Sequence, residues 1–480
     1  MTENEISSHS EKGVTFFSDD GQDPLSTIYN GMMARMSKAS FTLLEHNLNS
    51  LLSIQTDLGG SLPLGTGCSG TDLISLVTLH LYGALRDALG KELICKHLWS
   101  CERNSVAQKF ISEIINPPAI FNNMADLGQE KAYCVLHKNW VTIQWILEFA
   151  CGFSCTSVSK QNNDSVQART CIEDRTHETG RTFGWCMDFI LQHLPLLVIL
   201  ENVRMGMRNR QAIREKLMAA GYVFFMLAVD TRFHGSPHSR PRLWMGAMLC
   251  PHATPEDYTS IQEHAESLER EFRQPALPLE AFLLSTDDDD YAEYEDSVLA
   301  RKRQKLSSKQ KWRKLHHSKG WDQLQMNSEV SPLLRFRPTE RERQLLLKDH
   351  NENIEEYQSE SIQHIILDTS QTGTRMPRSV NGSPCLLPGS ELVETKTLKR
   401  PVFGVERLAM QGLHRKHSKT RLTNFTHRQL CTLAGNSFSG NAALLSKVIC
   451  LIALPWPTSA EEITQRQRAA RKQRQRAARK

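Results

Sequence analysis

Three stretches carry side chains suited to covalent or acid–base chemistry. In 150-ACGFSCTSVSK-160 a glycine and a comb of small hydroxyl residues follow an apolar run, with Cys155 just beyond its end. A cysteine thiolate is a strong nucleophile near neutral pH. The same stretch also admits Cys151 and Cys155 as a metal half-site, or both as small packing residues at a strand end. Zinc is disfavoured, because the chain has no C-x2-C and no matching second pair. In 198-VILENVRMG-206 an apolar strand delivers Glu201 straight into a loop. A carboxyl group against such a wall should hold its proton more tightly, which suits a hydrogen-bond donor or general acid. In 234-HGSPHSRPRLWMGAM-248, Arg240 and Arg242 flank a proline as a strand begins. They are expected to serve different faces, one holding a loop or a phosphate and the other facing a pocket. A structural salt-bridge pair is the alternative.

A second group points to a nucleoside-bearing cofactor. The segment 65-GTGCSGTDLISL-76 is a glycine-rich turn between a strand and a helix, made of Gly65, Gly67, Cys68, Ser69 and Gly70. Such turns let backbone N–H groups and a helix N-terminus approach an adenosine-bearing ligand. Glu102, in 100-SCERN-104 with Arg103 beside it, ends the next strand, where an acid can accept from ribose hydroxyls. Its distance along the chain from Gly70 exceeds the roughly 20 residues usual for that contact. Asp126, followed by Leu127 in 121-FNNMADLG-128, ends the third strand region and could receive an adenine amino group. Each acid alone could be a loop or helix cap. In order at successive strand ends they favour a nucleoside cofactor.

These residues need a scaffold that brings strand ends together. Strands are expected at 62–66, 94–101, 119–122, 143–150, 196–202, 222–230 and 242–249, and helices at 71–88, 104–114, 181–193 and 207–219. Apolar strands separated by helices indicate an α/β, doubly wound, mostly parallel sheet. The 480 residues divide into an N-terminal extension (1–60, partly helical), a first part of the sheet domain (61–254), a charged excursion (255–398), a return (399–457) and a tail (458–480). The excursion holds an acidic run, 286-TDDDDYAEYED-296, and a basic run at 301–321. The tail ends in the octad QRQRAARK twice over, eight Lys/Arg with no acid; removing these from the net +5 leaves −3 on the rest. Such a tail is expected to be disordered when free, serving as a nuclear address with import-receptor or chromatin partners, as a nonspecific nucleic-acid contact, or in no role. No apolar signal core opens the chain and no uncharged run approaches the ~20 residues of a membrane span. Twelve scattered cysteines read as reduced intracellular thiols.

With these stretches in order, the chain resembles the C5-cytosine DNA methyltransferases. GTGCSGTDL is similar to their cofactor loop, SCERN to the ribose contact, ADLG to the third cofactor motif, and GFSCTSVS stands where the family has its Pro-Cys loop. The segment 180-GRTFGWCMDFILQHLPLLVILENV-203 is the fullest match, and GSPHSRPRLWMGA is similar to the paired-arginine motif. The segment 400-RPVFGVERLAMQGL-413 resembles the motif that organises a target-recognition domain, and 433-LAGNSFSGNAALLSKVI-449 the last motif, whose Asn436 and Ser437 lie beside the cofactor. The resemblance implies a Rossmann-like methyltransferase fold with an inserted target-recognition domain, S-adenosylmethionine as cofactor, DNA as partner, no metal, and a nuclear location. It implies Cys155 as nucleophile, Glu201 on N3 and the exocyclic amine, Arg242 on O2, and Arg240 bracing the nucleophile loop. Departures are Ser154 for proline, Thr156 for glutamine, Asp72 and Leu73 for paired glycines, Cys68 for an aromatic residue and His238 for glutamine. The alternatives are a tRNA cytosine-5 methyltransferase of the same fold and a non-catalytic DNA-binding relative.

Overall fold

The computed structural model describes residues 23–90, 92–159, 172–288, 291–298, 340–371, 376–413 and 422–479. The basic run at 301–321 lies outside them. A nine-stranded sheet is built from β1 (Leu62–Gly67), β2 (Cys95–Cys101), β3 (Ala119–Phe121), β4 (Lys131–Cys134), β5 (Asn139–Thr142), β6 (Glu148–Cys151), β7 (Leu197–Val203), β8 (Tyr222–Asp230) and β9 (Pro241–Leu249). Its spatial order is β5-β4-β3-β2-β1-β6-β7-β9-β8. From β3 to β7 neighbours run parallel, while β9 lies antiparallel between β7 and β8. The chain leaves β1 toward β2 and β3, then returns to β6 on the other side. This reversal opens a crevice at the carboxyl ends of β1 and β6, where ligands of open α/β sheets bind.

Helices α1 (Pro24–Arg35), α2 (Lys38–Asp57), α3 (Leu73–Leu89), α4 (Ser105–Phe110), α5 (Glu178–His193), α6 (Met207–Ala219) and α7 (Pro255–Glu271) accompany the sheet. The N-terminal extension forms two helices, α1 and α2, because Ser37 leaves the helical region to cap α2 through Ser40 N–H. The apolar 143–147 is not strand; it crosses to β6 with Ile143, Ile146 and Leu147 buried. The β4–β5 hairpin carries no apolar alternation in sequence, since it is an edge with Trp140 half exposed. Residues 255–271, assigned from sequence to the charged excursion, form α7. It packs on β8 instead: Ile261, Ala265 and Leu268 are buried, and the Gln262 amide bonds both backbone groups of Met226.

Beyond α7 a four-stranded antiparallel sheet forms from β10 (Ile365–Asp368), β11 (Arg378–Val380), β12 (Leu392–Glu394) and β13 (Arg400–Pro401), preceded by α8 (Glu340–Glu352). Arg400 anchors it, giving two hydrogen bonds to Glu406 (3.0 and 2.6 Å) and one to Leu284 O (3.0 Å), with Phe403 under its guanidinium. The chain then returns through α9 (Gly404–Met410), α10 (His427–Asn436) and α11 (Gly440–Ala453). The 427–453 stretch is apolar and long enough to cross a membrane, but it is interrupted at Ser437–Ser439 and buried against α2, α3 and α7 as a core element.

The tail corrects the sequence expectation. Residues Ala460–Ala478 form a helix, α12. Ser459 caps it, Glu461 and Glu462 occupy its first turn, and the octads supply Ala, Gln, Arg and Lys, all strong helix formers. Docking adds what propensity alone lacks. Ile463 and Ala470 are buried, and Arg466, Gln467 and Arg474 donate to the carbonyls of Leu249, Leu194 and Leu191.

On α11, Lys447 is fully buried against Glu148 at the start of β6, its amine pushed down to about 8 by burial. Replacing one member of such a pair strands the other charge, at about 3–5 kcal/mol. Lys447→Met is therefore expected to lower the urea midpoint sharply, and Lys447→Met with Glu148→Gln to recover most of it. Equal loss in both would refute the pairing.

Candidate active site

The site is assembled at the carboxyl ends of β1, β6 and β7. β6 ends at Cys151, and the loop turns outward through Gly152 and Phe153 to leave Cys155 exposed. Asn202, one residue past Glu201 on β7, reaches beneath this loop and donates to Phe153 O at 2.7 Å. Helix α5 ties the loop's other side: Ser154 N–H donates to Thr182 Oγ1 (3.1 Å) and Ser157 N–H to Thr179 Oγ1 (3.0 Å). A proline at 154 could not make the first bond, so this loop is held by hydrogen bonds in place of a ring constraint.

Glu201 lies 3.1 Å from Arg242 Nε, both mostly buried. Burial raises the Glu201 carboxyl above its ordinary range, while Arg242 and Arg240 oppose the shift. Although Cys155 is exposed as a residue, enough protein surrounds its sulfur that desolvation, then the Glu201 charge, raises the thiol. The two arginines again oppose. The arginines do take different partners. Arg242 meets Glu201, whereas buried Arg240 donates to Leu386 O (2.9 Å), Gly435 O (3.2 Å) and Ser437 O (2.8 Å). Arg240 was expected to brace the nucleophile loop; Asn202 does that, and Arg240 fastens the return segment to the second sheet. Phe438, which no sequence pattern singled out, covers Gly152: a Cβ there would come within 2.8 Å of its ring. Its signal was present only as an aromatic residue beside Asn436–Ser437.

The cofactor candidates divide. Glu102 faces the crevice rim, accepting from Gly70 N–H (2.8 Å) and Asn104 N–H (2.8 Å), with burial raising its carboxyl. Each of its oxygens keeps a lone pair for a ribose hydroxyl. Asp126 is half-buried in the short helical turn Met124–Gly128 that follows β3, and Asn436 is exposed as the last residue of α10, its carbonyl 2.8 Å from where a Gly70 Cβ would sit. Arg103 is exposed and pairs with Glu178 at 3.5 Å. Gly65 and Gly67 make room for Trp99 and Met124. Ser69 bonds Thr66 and Cys101 O, Cys68 turns to Cys151, and Ser437 bonds Thr71. Leu127 is fully buried and its carbonyl is held by His193, so it packs the core instead of meeting a ligand.

The turn also departs from an anion cradle. Cys68, Gly70 and Asp72 all have positive φ, and the N–H groups of Ser69, Gly70 and Asp72 are donated within the protein. The buried carboxyl of Asp72 stands at the N-cap of α3, bonded by Ser100 and facing His97 at 3.4 Å. Such a turn suits a nucleoside carrying no phosphate, read through its ribose by Glu102.

A thiol, a carboxyl whose proton affinity is raised and a guanidinium thus meet beside the crevice, groups suited to nucleophilic group transfer. The sequence profile of C-5 cytosine-specific DNA methylase matches residues 84–443, and the chain belongs to that family. S-adenosylmethionine is the family's methyl donor. The chain is 26% identical over 446 residues to the Cryptococcus neoformans var. grubii DNA (cytosine-5-)-methyltransferase DMT5, covering 86% of this chain and 18% of that relative's length. Among solved structures it is similar to a Spodoptera frugiperda DNMT2 variant (13% identity, TM-score 0.42, 81% of this chain and 99% of that one). It is also similar to the Entamoeba histolytica methyltransferase EhMeth (13%, TM-score 0.43, 81% and 98%).

The field at Cys155 is open to test by iodoacetamide capture against pH, read by peptide mass spectrometry. Its midpoint should lie above the ~8.5 of a free cysteine. Glu201→Gln, removing a negative neighbour, should move it down, and Arg242→Met should move it up. A wild-type midpoint below the free value would overturn this assignment.

Proposed function

We propose that this chain transfers a methyl group to C5 of cytosine in DNA. The observation that carries the reading is the Glu201–Arg242 pair at 3.1 Å on the strand ends beside the exposed Cys155. Cytosine C5 is a weak nucleophile until C6 is attacked. The Cys155 sulfur bonds to C6 and its proton passes to solvent, which the exposed loop admits. Glu201 holds N3 and the exocyclic amine; its raised affinity for a proton lets it donate to N3 as electron density moves toward C5. Arg242 accompanies it at O2, where negative charge develops. S-adenosylmethionine, when bound, supplies the methyl group. Glu102, Asp126 and Asn436 would hold its adenosine portion. Loss of the C5 proton to solvent, with expulsion of the Cys155 thiolate and return of the N3 proton to Glu201, restores the aromatic ring.

The base must leave the helical stack to reach this crevice, costing a few kcal/mol that pocket contacts offset. The second sheet is the part suited to grip the flanking duplex, since Arg240 at the start of β9 fixes it against the catalytic sheet. A nuclear site of action belongs to the same reading.

Duplex DNA containing 5-fluorocytosine should trap wild type as a covalent complex that resists denaturant, and Cys155→Ser should leave none. Run beside labelled tRNA, the DNA arm should carry the methylation. Trapping on tRNA alone favours a tRNA enzyme, and absence of trapping on both favours a non-catalytic relative.

A further inference from the structure

The repeated octads acquire a meaning only in folded form. Helix α12 turns Ile463, Gln467, Ala470 and Arg474 toward the domain, and Arg466, Gln467 and Arg474 are held by backbone carbonyls. An import receptor that reads a basic stretch as an extended peptide would first have to undo this docking. The opposite face presents Arg468, Lys472 and Arg476, four residues apart and therefore stacked along one side at about 6 Å per step. All three are exposed, and none forms an ion pair among the described residues. The helix's acids lie at its start, where Glu462 is taken by Arg466.

This stripe forms one wall of a groove of about 740 Å3, lined also by Gln465, Gln473 and the Pro251–His252 turn. The groove is remote from the chemistry. His252 follows β9, whose end pairs with the first residues of β7, so it lies at the amino ends of the parallel strands, while Cys155 and Glu201 lie at the carboxyl ends. Seven residues of β7 at ~3.3 Å each separate the two rims.

We propose that this groove is a second binding site for duplex DNA, one that grips the phosphate backbone without reading sequence. A row of cations at near-phosphate spacing, with glutamine amides beside it and no acid in its lining, complements a polyanion. The choice of DNA rests on the function proposed above; the groove itself does not depend on Cys155. A second segment of duplex held behind the catalytic face would keep the enzyme on its polymer between encounters with target cytosines.

The test uses the full chain and a 40-base-pair duplex of A·T pairs only, which offers the active site no cytosine. Fluorescence anisotropy against KCl concentration gives the affinity and its salt slope. Arg468→Ala/Lys472→Ala/Arg476→Ala should lose about 2.7 from the slope of log K against log salt, at roughly 0.9 per phosphate contact released. Arg468→Lys/Arg476→Lys, which keeps the charge, should bind like wild type, and Cys155→Ser should too. Methylation of a 12-base-pair cytosine duplex, a stiff rod that cannot wrap from the catalytic rim round to the opposite one, should be unchanged in the triple variant. An unchanged slope in the triple variant, or equal loss in the charge-keeping variant, overturns the proposal. Failure of Cys155→Ser to abolish trapping would instead strike the catalytic reading and leave the groove standing.

Discussion

The arrangement depends on one buried guanidinium. Arg240 enters from the start of β9 and donates to three carbonyls in two distant segments, at 386 and at 435 and 437. Charge-assisted bonds of this kind contribute about 1.5–3 kcal/mol each, and their loss would leave three buried acceptors without donors. The consequences run outward. With Ser437 fixed, its hydroxyl meets Thr71 on the cofactor turn, the Asn436 carbonyl closes over Gly70, and Phe438 covers Gly152 beneath the Cys155 loop. One cation thereby joins the second sheet, the cofactor turn and the nucleophile loop.

The departures from the family pattern are compensated locally by polar contacts. Ser154 uses the N–H that a proline lacks, and Thr182 accepts it while donating to the α5 backbone. Asp72 occupies a left-handed position that favours glycine, and its carboxyl is received by Ser100 and His97 from the neighbouring strand. His238 stands where a glutamine is usual. Burial and the nearby arginines push its imidazole down to about 3, so it is neutral, with Ser236 Oγ 2.6 Å from Nδ1. At each of these three positions the side chain or backbone is held by hydrogen bonds within the protein.

Charge organises the remainder. The folded sheet domain is not broadly basic, and cations are placed singly where a carbonyl or carboxylate waits, as with Arg400 on Glu406 and Lys447 on Glu148. Among the described residues, α12 carries a dense run of positive charge on the side away from the crevice. Chemistry and long-range attraction thus occupy opposite rims of one sheet.

Much of this was legible from sequence, for a physical reason. Buried parallel strands read as apolar runs, so β1, β2, β7, β8 and β9 fell within a residue or two of their expected spans, and α6 coincided with its own. Apolar runs alternating with helices placed Cys155 and Glu201 at the ends of successive predicted strands, while the sheet alone decided that those strands lie side by side. Other features were illegible because their determinants lie far away in the chain. Ser437, Asn202 and Arg240 act through partners tens to hundreds of residues distant, and nothing local records which carbonyl a guanidinium will find. Helix α12 is the clearest case. Its composition has high helix propensity, yet a polar helix in water is marginal, and only the docked face of Ile463, Ala470 and Arg474 decides that it folds. Local spacing determined the chemical groups and the strands that carry them; tertiary closure decided which groups act together, because burial and hydrogen-bond pairing are properties of the assembled chain.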